Sequence, residues 1–319
     1  MYRTILLPLD GSLFSEHALP LALETARRAN AVLHIVHVYE PDEVWRDYED
    51  YTPFRFEGEP EYDKVYEDKE RGLVQRYLAW AARLATDRGV RVETALLDMM
   101  DGDVAGAIQR YAAQARADLI AMATHGRGGL ARAWLGSVAD AVVREGGLPV
   151  LLVRPSGDTR PDPYAAPTFA HVLVPLDESA EAEEVLGPAT ALGRLWDARY
   201  TLVTVVPLPL AMGTVSPAPV LDERGEIARV GGAAQVYLES VADRLRLDGL
   251  QVDTRLILDA HAADAITFEA SQLEADLIAL ATHGRSGLTR LVMGSVAAEV
   301  VRTARTPVLV YRPRGGGAA

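Results

Sequence analysis

The feature that most constrains this chain is a long internal repeat. The segment Ala117–Arg127 recurs as Ala275–Arg285, with ten of eleven positions identical, 158 residues further along. The dipeptide Gly136-Ser137 recurs as Gly294-Ser295 at the same separation. A length of 319 residues, at about 150 residues per domain, also favours two domains. The sequence therefore predicts one domain duplicated in tandem.

The repeat also predicts the domain boundaries. Pro8-Leu9-Asp10 recurs as Pro175-Leu176-Asp177, but 167 residues apart, so the first copy holds an insertion, which we assign to the acidic and aromatic segment Glu40–Pro60. A proline-rich stretch separates the copies and is typical of an extended linker. We predict a first domain over 1–154, a linker over 155–169, a second domain over 170–313 and a frayed glycine-rich tail over 314–319.

Composition excludes several classes of protein. The formal net charge of −13 disfavours binding to nucleic acid or to an anionic membrane surface. Because the chain contains no cysteine, disulfides, thiolate nucleophiles and iron–sulfur clusters are excluded. No stretch approaches the roughly 18 apolar residues of a membrane span. We expect a cytoplasmic protein with neither a nucleic-acid nor a membrane partner.

Short apolar runs alternate with helical patterns in each copy. Continuous apolar runs bounded by proline or aspartate are typical of strands buried on both faces. Pro20 should interrupt or restart the first helical pattern, Ser12 to Arg28. The first-copy strands are predicted at Thr4–Leu9, Val32–Val38, Val90–Leu97, Leu119–Met122 and Val150–Val153. The second-copy strands are predicted at Val172–Val174, Leu202–Val206, Val252–Leu258, Leu277–Leu280 and Val308–Tyr311. This order predicts an α/β fold of two doubly wound domains, each a five-stranded parallel sheet with helices on both faces.

Two turns that follow strands are closely duplicated. An aspartate, Asp10 or Asp177, follows the first strand, and a glycine-rich loop after the fourth strand ends in Gly-Ser at the start of a helix. The serine can N-cap that helix, and the glycine allows a ligand to approach the backbone. Free N–H groups at a helix start favour an anion such as phosphate. Because ligands of such sheets bind where the strand order reverses, we predict a nucleotide site between the two turns.

Each of these features also has a structural alternative. The aspartates could serve only to cap the following helix, and Gly-Ser could be a simple strand-to-helix turn. His125 and His283 fit loop-shaping residues better than catalytic bases. Four arginines that flank the loops could contact phosphate or be solvated: Arg127, Arg132, Arg285 and Arg290. The 40–60 insertion could bind a partner or fold over its own domain.

The same residues resemble the universal stress protein family. ATP-binding members of that family carry Gly-x2-Gly-x9-Gly-Ser/Thr after the fourth strand and an aspartate after the first. The resemblance covers nearly the whole chain as two copies. It implies the strand order 3-2-1-4-5, pairing of the last strands between domains, and ATP bound with Mg²⁺ or Mn²⁺ through its phosphates. In the first copy the implied site is Pro8, Leu9, Asp10, Val38, Met122, Ala123, His125, Gly126, Gly136, Ser137 and Val138. In the second copy it is Pro175, Leu176, Asp177, Val205, Leu280, Ala281, His283, Gly284, Gly294, Ser295 and Val296.

One departure from the family pattern leaves two functions open. Its first glycine is Ala123 in one copy and Ala281 in the other, which could narrow the approach to the ribose or phosphate. The first hypothesis is an ATP-binding stress-response protein that acts as a sensor or regulator without efficient catalysis. The alternative is a protein-interaction module of the same fold that no longer binds ATP. An ATP-consuming enzyme is disfavoured because no general base or further catalytic motif is evident. A homodimer or intramolecular domain pairing, and an unknown protein partner, are also expected.

Overall fold

The structure, a computed structural model, describes residues 2–40, 60–99, 103–125, 135–155, 159–207, 223–282 and 293–313. They fall into two compact units whose bounds differ from those of the two sequence copies. The first unit contains Tyr2–Val142 and Pro155–Ala166, and the second contains Val143–Arg154 and Pro167–Ala319. The end of the first copy therefore lies in the second unit, and most of the predicted linker lies in the first.

The first unit is an α/β fold on a parallel sheet. Its strands lie in the order β3-β2-β1-β4, with β1 between β2 and β4. The elements are β1 Thr4–Pro8, α1 Leu13–Glu16, α2 Leu19–Ala29, β2 Val32–Tyr39, α3 Pro60–Asp87, β3 Arg91–Asp98, α4 Val104–Gln114 and β4 Leu119–Ala123, followed by α5 Ser137–Glu145.

The second unit repeats this arrangement. Its parallel strands lie in the order β8-β7-β6-β9-β10, and β5 of the first copy adds to β10 in antiparallel direction, with Leu151 opposite Leu309. The last strands of the two copies therefore pair, as the resemblance implied. The elements are β5 Val150–Val153, β6 His171–Pro175, α6 Ala180–Glu183, α7 Leu186–Gly193, β7 Arg199–Val206, α8 Glu223–Leu247, β8 Val252–Leu258, α9 Ala262–Gln272, β9 Leu277–Ala281, α10 Ser295–Thr303 and β10 Val308–Tyr311.

Local sequence explains where these elements begin and end. Ile5, Leu6 and Leu7 are consecutive and fully buried, as expected of a strand covered on both faces. The predicted interruption at Pro20 is confirmed, because α1 ends at Glu16 and α2 begins at Leu19 with the proline in its first turn. Proline is tolerated there because the first helical N–H groups have no intrahelical acceptor.

The segment 159–166 is bound to the first unit by two arginines. Arg88 donates from Nη1 to the carbonyl oxygens of Pro163, at 2.7 Å, and Ala165, at 3.0 Å. The Arg160 guanidinium donates from Nε to Oε2 of Glu16 at 2.7 Å and lies over the ring of Trp80. The Glu16 side chain is only 1% exposed, so this ion pair neutralises a buried carboxylate.

The second copy neutralises the matching carboxylate in another way. Glu183, which corresponds to Glu16, pairs with Arg244 of helix α8. Aligning α3 with α8 on Gly89 and Gly249 places Leu84 at the position of Arg244. The predicted linker therefore supplies to the first unit a cation that the second unit takes from its own helix.

We predict that Arg160→Ala releases the segment 159–166 from the first unit. Amide hydrogen exchange of that segment in the full chain should rise by about fivefold, as expected for loss of a part-exposed ion pair of ~1 kcal/mol. The matched control is Arg244→Ala, which removes the counterpart cation and should leave exchange in 159–166 unchanged. Equal exchange in wild type and Arg160→Ala would contradict this account.

A second buried carboxylate stabilises helix α2. The Glu24 side chain is 2% exposed and accepts hydrogen bonds from Arg27, Arg28 and Arg88. The hydrogen bond from Arg27 is the largest of the causes that lower the pKa of Glu24 to about 2. Because the folded-state pKa lies below that of the unfolded chain, the carboxylate stabilises the fold above the unfolded pKa.

Glu24→Gln should lower the free energy of unfolding by about 2 kcal/mol at pH 7, since charged hydrogen bonds are lost. The difference from wild type should shrink as the pH falls from about 4.5 towards 2, where Glu24 itself becomes protonated. Urea unfolding of both proteins at several pH values measures this difference. A difference that stays constant down to pH 3 would show that the charge of Glu24 contributes nothing.

Candidate functional site

The candidate site of the second copy lies where the strand order reverses. Strand β6 pairs with β7 on one side and with β9 on the other, so chain segments leaving these strands meet at one edge of the sheet. Leu176, immediately after β6, donates its N–H to the carbonyl oxygen of Val203 at 2.8 Å. That bond holds the following Asp177 at the edge.

A cavity of about 270 Å³ opens at this edge. Every second-copy site residue that the sequence predicted within the described ranges lines it: Pro175, Leu176, Asp177, Val205, Leu280, Ala281, Gly294, Ser295 and Val296. The remaining wall is formed by Ala182, Val203, Ala262, Ile266, Thr282 and Ala297. The predicted residues His283 and Gly284 lie outside the described residues.

A backbone contact at Gly294 positions helix α10 against the cavity. The Gly294 N–H donates to the carbonyl oxygen of Thr282, just after β9, at 2.8 Å. A Cβ at Gly294 would lie 3.0 Å from that same oxygen. Its φ of −56° is one that any residue adopts, so the requirement for glycine is steric.

The structure corrects the predicted role of the serine. Ser295 is not the N-cap of α10: Gly294 occupies that position and has no side-chain capping bond. The reason is that Gly294, fixed to Thr282, already accepts the first helical hydrogen bond, from Ala298 at 2.9 Å. The first N–H groups of a helix have no intrahelical acceptor, and the first three residues of α10 all line the cavity.

The aspartates act differently from simple helix caps. Asp177 Oδ1 accepts from the N–H of Ser179 at 3.1 Å and from its hydroxyl, and Ser179 N-caps α6 by accepting from Ala182. In the first copy Asp10 accepts from the N–H of Ser12 at 2.9 Å, and Ser12 caps α1. Each aspartate therefore orients the capping serine, and the cap itself is the serine.

The first copy places its predicted residues in the same way. Pro8, Leu9 and Asp10 end or follow β1, Val38 lies in β2, Met122 and Ala123 end β4, and Ser137 and Val138 open α5. Gly136 donates its N–H to the carbonyl of Thr124 at 2.8 Å and accepts from Asp140, so it too occupies the N-cap position. Gly126 lies outside the described residues, as does the insertion over 41–59.

His125 contacts its neighbour in the chain. Its Nδ1 lies 3.0 Å from the hydroxyl oxygen of Thr124. The loop-shaping role of this histidine stays a prediction.

Two buried phenols beside the aspartates were missed by the sequence analysis. The hydroxyl oxygens of Tyr77 on α3 and Tyr237 on α8 are buried. Burial is the largest cause that raises the pKa of Tyr77, followed by the charges of Glu16 and Asp10. Burial likewise raises the pKa of Tyr237, with Glu183 and Asp177 adding to the effect. Both phenols remain protonated donors at neutral pH; their recurrence 160 residues apart is the signal that could have found them.

The described part of the chain contains neither a metal-binding cluster nor a membrane-spanning helix. Within it, no group of three or more His, Asp or Glu side chains could hold a metal ion. None of the described helices is both long and apolar enough to cross a membrane.

We predict that Gly294→Ala destabilises the chain because its methyl group would crowd the Thr282 carbonyl. Urea unfolding should show a loss of about 1–3 kcal/mol. The control is Gly232→Ala in helix α8, where nothing lies within 4 Å of the added methyl and a gain of up to about 1 kcal/mol is expected. A Gly294→Ala protein as stable as wild type would show that the contact is not tight.

Comparisons with known proteins agree with this architecture. The family model described as the universal stress protein family matches residues 1–154 and 168–312. A universal stress protein of Mycobacterium tuberculosis is 29% identical over 97% of this chain and 96% of its own length. One from Thermus aquaticus is 38% identical over 48% of this chain and all of its own length.

The solved structures share the fold at low sequence identity. A universal stress protein from Archaeoglobus fulgidus superposes with a TM-score of 0.62 at 16% identity, covering 97% of this chain and 96% of that protein. Because the family model accounts for both copies, the chain belongs to the universal stress protein family, as a tandem two-domain member.

Proposed function

We propose that this chain is a stress-response protein that binds ATP or a related adenine nucleotide. It acts as a nucleotide-dependent sensor or regulator, without efficient catalysis. The observation that carries the proposal is the cavity of the second copy. Nine residues chosen from sequence alone line one space together with an uncapped helix N-terminus.

The cavity has an apolar part suited to an adenine ring. Val205, Ile266 and Leu280 supply aliphatic side chains to the wall. Burying a flat heteroaromatic ring against such side chains removes apolar surface from water, worth roughly 25 cal/mol per Å². Mostly apolar walls with a few placed polar groups are typical of small-molecule sites.

The polar groups of the cavity suit a ribose and phosphates. Asp177 can accept from a ribose hydroxyl, since a carboxylate offers about four lone-pair sites. The N–H groups at the start of α10 favour a phosphate by roughly 0.3–1 kcal/mol per charge, and up to about 2 when partly buried. Mg²⁺ or Mn²⁺ would be held mainly by phosphate oxygens and water, because Mg²⁺ usually keeps several waters.

A second candidate function is a protein-interaction module that no longer binds ATP. The observation that favours it is Ala281, which lines the cavity. At this position the ATP-binding members of the universal stress protein family have glycine. The extra methyl group narrows the cavity but leaves Asp177, Gly294 and Ser295 in place. We therefore rank it second. Slow ATP hydrolysis and a homodimer stay predictions.

Release of bound nucleotide separates the two functions. The purified full-length protein is denatured and the supernatant is analysed by mass spectrometry, while the native protein is heated with and without millimolar Mg-ATP. We expect released adenine nucleotide or a rise in Tm with Mg-ATP. Finding neither would reject nucleotide binding in favour of the interaction module.

The aspartates provide the matching mutational test. Asp10→Asn combined with Asp177→Asn keeps an oxygen acceptor for the capping serines but removes the charge that would bind the sugar. Loss of charged hydrogen bonds should weaken Mg-ATP binding by about tenfold or more in isothermal titration. Asp243→Asn is the control, since Asp243 pairs with Arg246 on α8. Unchanged affinity in the double variant would show that the ribose is not held by these residues.

A further inference from the structure

We propose that the two copies are unequal nucleotide sites, the second being the roomier and tighter, and that Ser15, Val104 and Met122 narrow the first. This inference rests on the proposed function and adds to it which copy binds better and which residues decide the difference.

The two sites are otherwise closely similar in sequence. Twelve of the fifteen residues that line the second-copy cavity are identical at the matching positions of the first copy. The three differences are Ala182 against Ser15, Ala262 against Val104, and Leu280 against Met122. Within the described lining, these three positions are where the side chains of the two copies differ.

At two of the three positions the first copy adds atoms to the wall. Val104 opens helix α4 where Ala262 opens α9, so the valine adds two methyl groups at a corresponding point. Ser15 adds a hydroxyl where Ala182 has only a methyl group. Met122 ends β4 with a longer and more flexible side chain than Leu280 and is buried, as Leu280 is. A packed wall cannot absorb such additions freely, since protein interiors are close to crystal density.

Ser15 also makes two hydrogen bonds to the loop that follows the first strand. Ser15 donates its hydroxyl to the carbonyl of Ser12 at 2.9 Å and accepts from the N–H of Asp10 at 3.4 Å. Ala182 can make neither bond. The loop that carries Asp10 is therefore linked to α1 by a side chain that the loop of Asp177 lacks, and a ligand reaching Asp10 must fit beside that hydroxyl.

An apolar pocket can discriminate between ligands that differ by one methylene by about 10–200-fold, so changes of this size in the wall can separate the affinities of the two copies. Isothermal titration of the full chain with Mg-ATP should resolve two classes of site. Asp177→Asn should weaken the tight class and Asp10→Asn the weak class, which assigns each class to its copy.

Substitutions that swap these residues between the two copies then test whether they cause the difference in affinity. Ser15→Ala, Val104→Ala and Met122→Leu together should tighten the weak class by about tenfold or more. The reciprocal Ala262→Val should weaken the tight class by a similar factor, and Ala182→Ser provides a second, smaller change in case the valine disturbs folding, which urea unfolding monitors.

The outcomes separate this inference from the proposed function. Two sites of equal affinity, or a tight class that neither Ala262→Val nor Ala182→Ser weakens, overturn the inequality while nucleotide binding stands. Absence of any binding by the wild-type chain rejects the proposed function, and the inequality with it.

Discussion

Each candidate site depends on one backbone contact, in which a glycine N–H donates to the carbonyl of the threonine that follows a strand. Gly136 and Thr124 make it in the first copy, and Gly294 and Thr282 in the second, both at 2.8 Å. A Cβ at the glycine would lie only 3.1 Å (Gly136) or 3.0 Å (Gly294) from the carbonyl oxygen that accepts the bond. The contact starts the next helix beside the strand end, so that the first N–H groups of that helix, which have no intrahelical acceptor, and the aspartate after the first strand share one edge of the sheet.

The two compact units of the structure do not have the same bounds as the two copies in the sequence. Strand β5 ends the first copy yet pairs with β10 in the second unit, which covers an edge that would otherwise present unpaired backbone groups. Arg160, which follows the first copy, pairs with the buried Glu16 in the first unit. A polypeptide cut at residue 154 would therefore leave the buried carboxylate of Glu16 without this cation.

Much of the fold was predictable because it depends on local patterns and on the repeat. Apolar runs bounded by proline or aspartate predicted strands such as β1, and Pro20 predicted the interruption between α1 and α2. The repeat identified the glycine and aspartate turns without any knowledge of their contacts. The prediction that Ser295 is the N-cap of α10 was wrong because it used only the local preference of serine for that position. Gly294 takes the position instead, through a contact with Thr282 twelve residues earlier. The role of Arg160 was beyond reach because its partner is set by tertiary packing: Arg160 lies 144 residues from Glu16.

The central claim is that the start of α10 receives phosphate, and amide exchange of that helix tests it most directly. Hydrogen exchange of the full chain should be measured with Mg-ATP, with adenosine and without ligand. The account predicts that Mg-ATP protects the amides of Ser295, Val296 and Ala297 together with the loop at Asp177, and that adenosine protects the loop but not the helix start. No protection at the start of α10 with Mg-ATP, or equal protection there with adenosine, would contradict it.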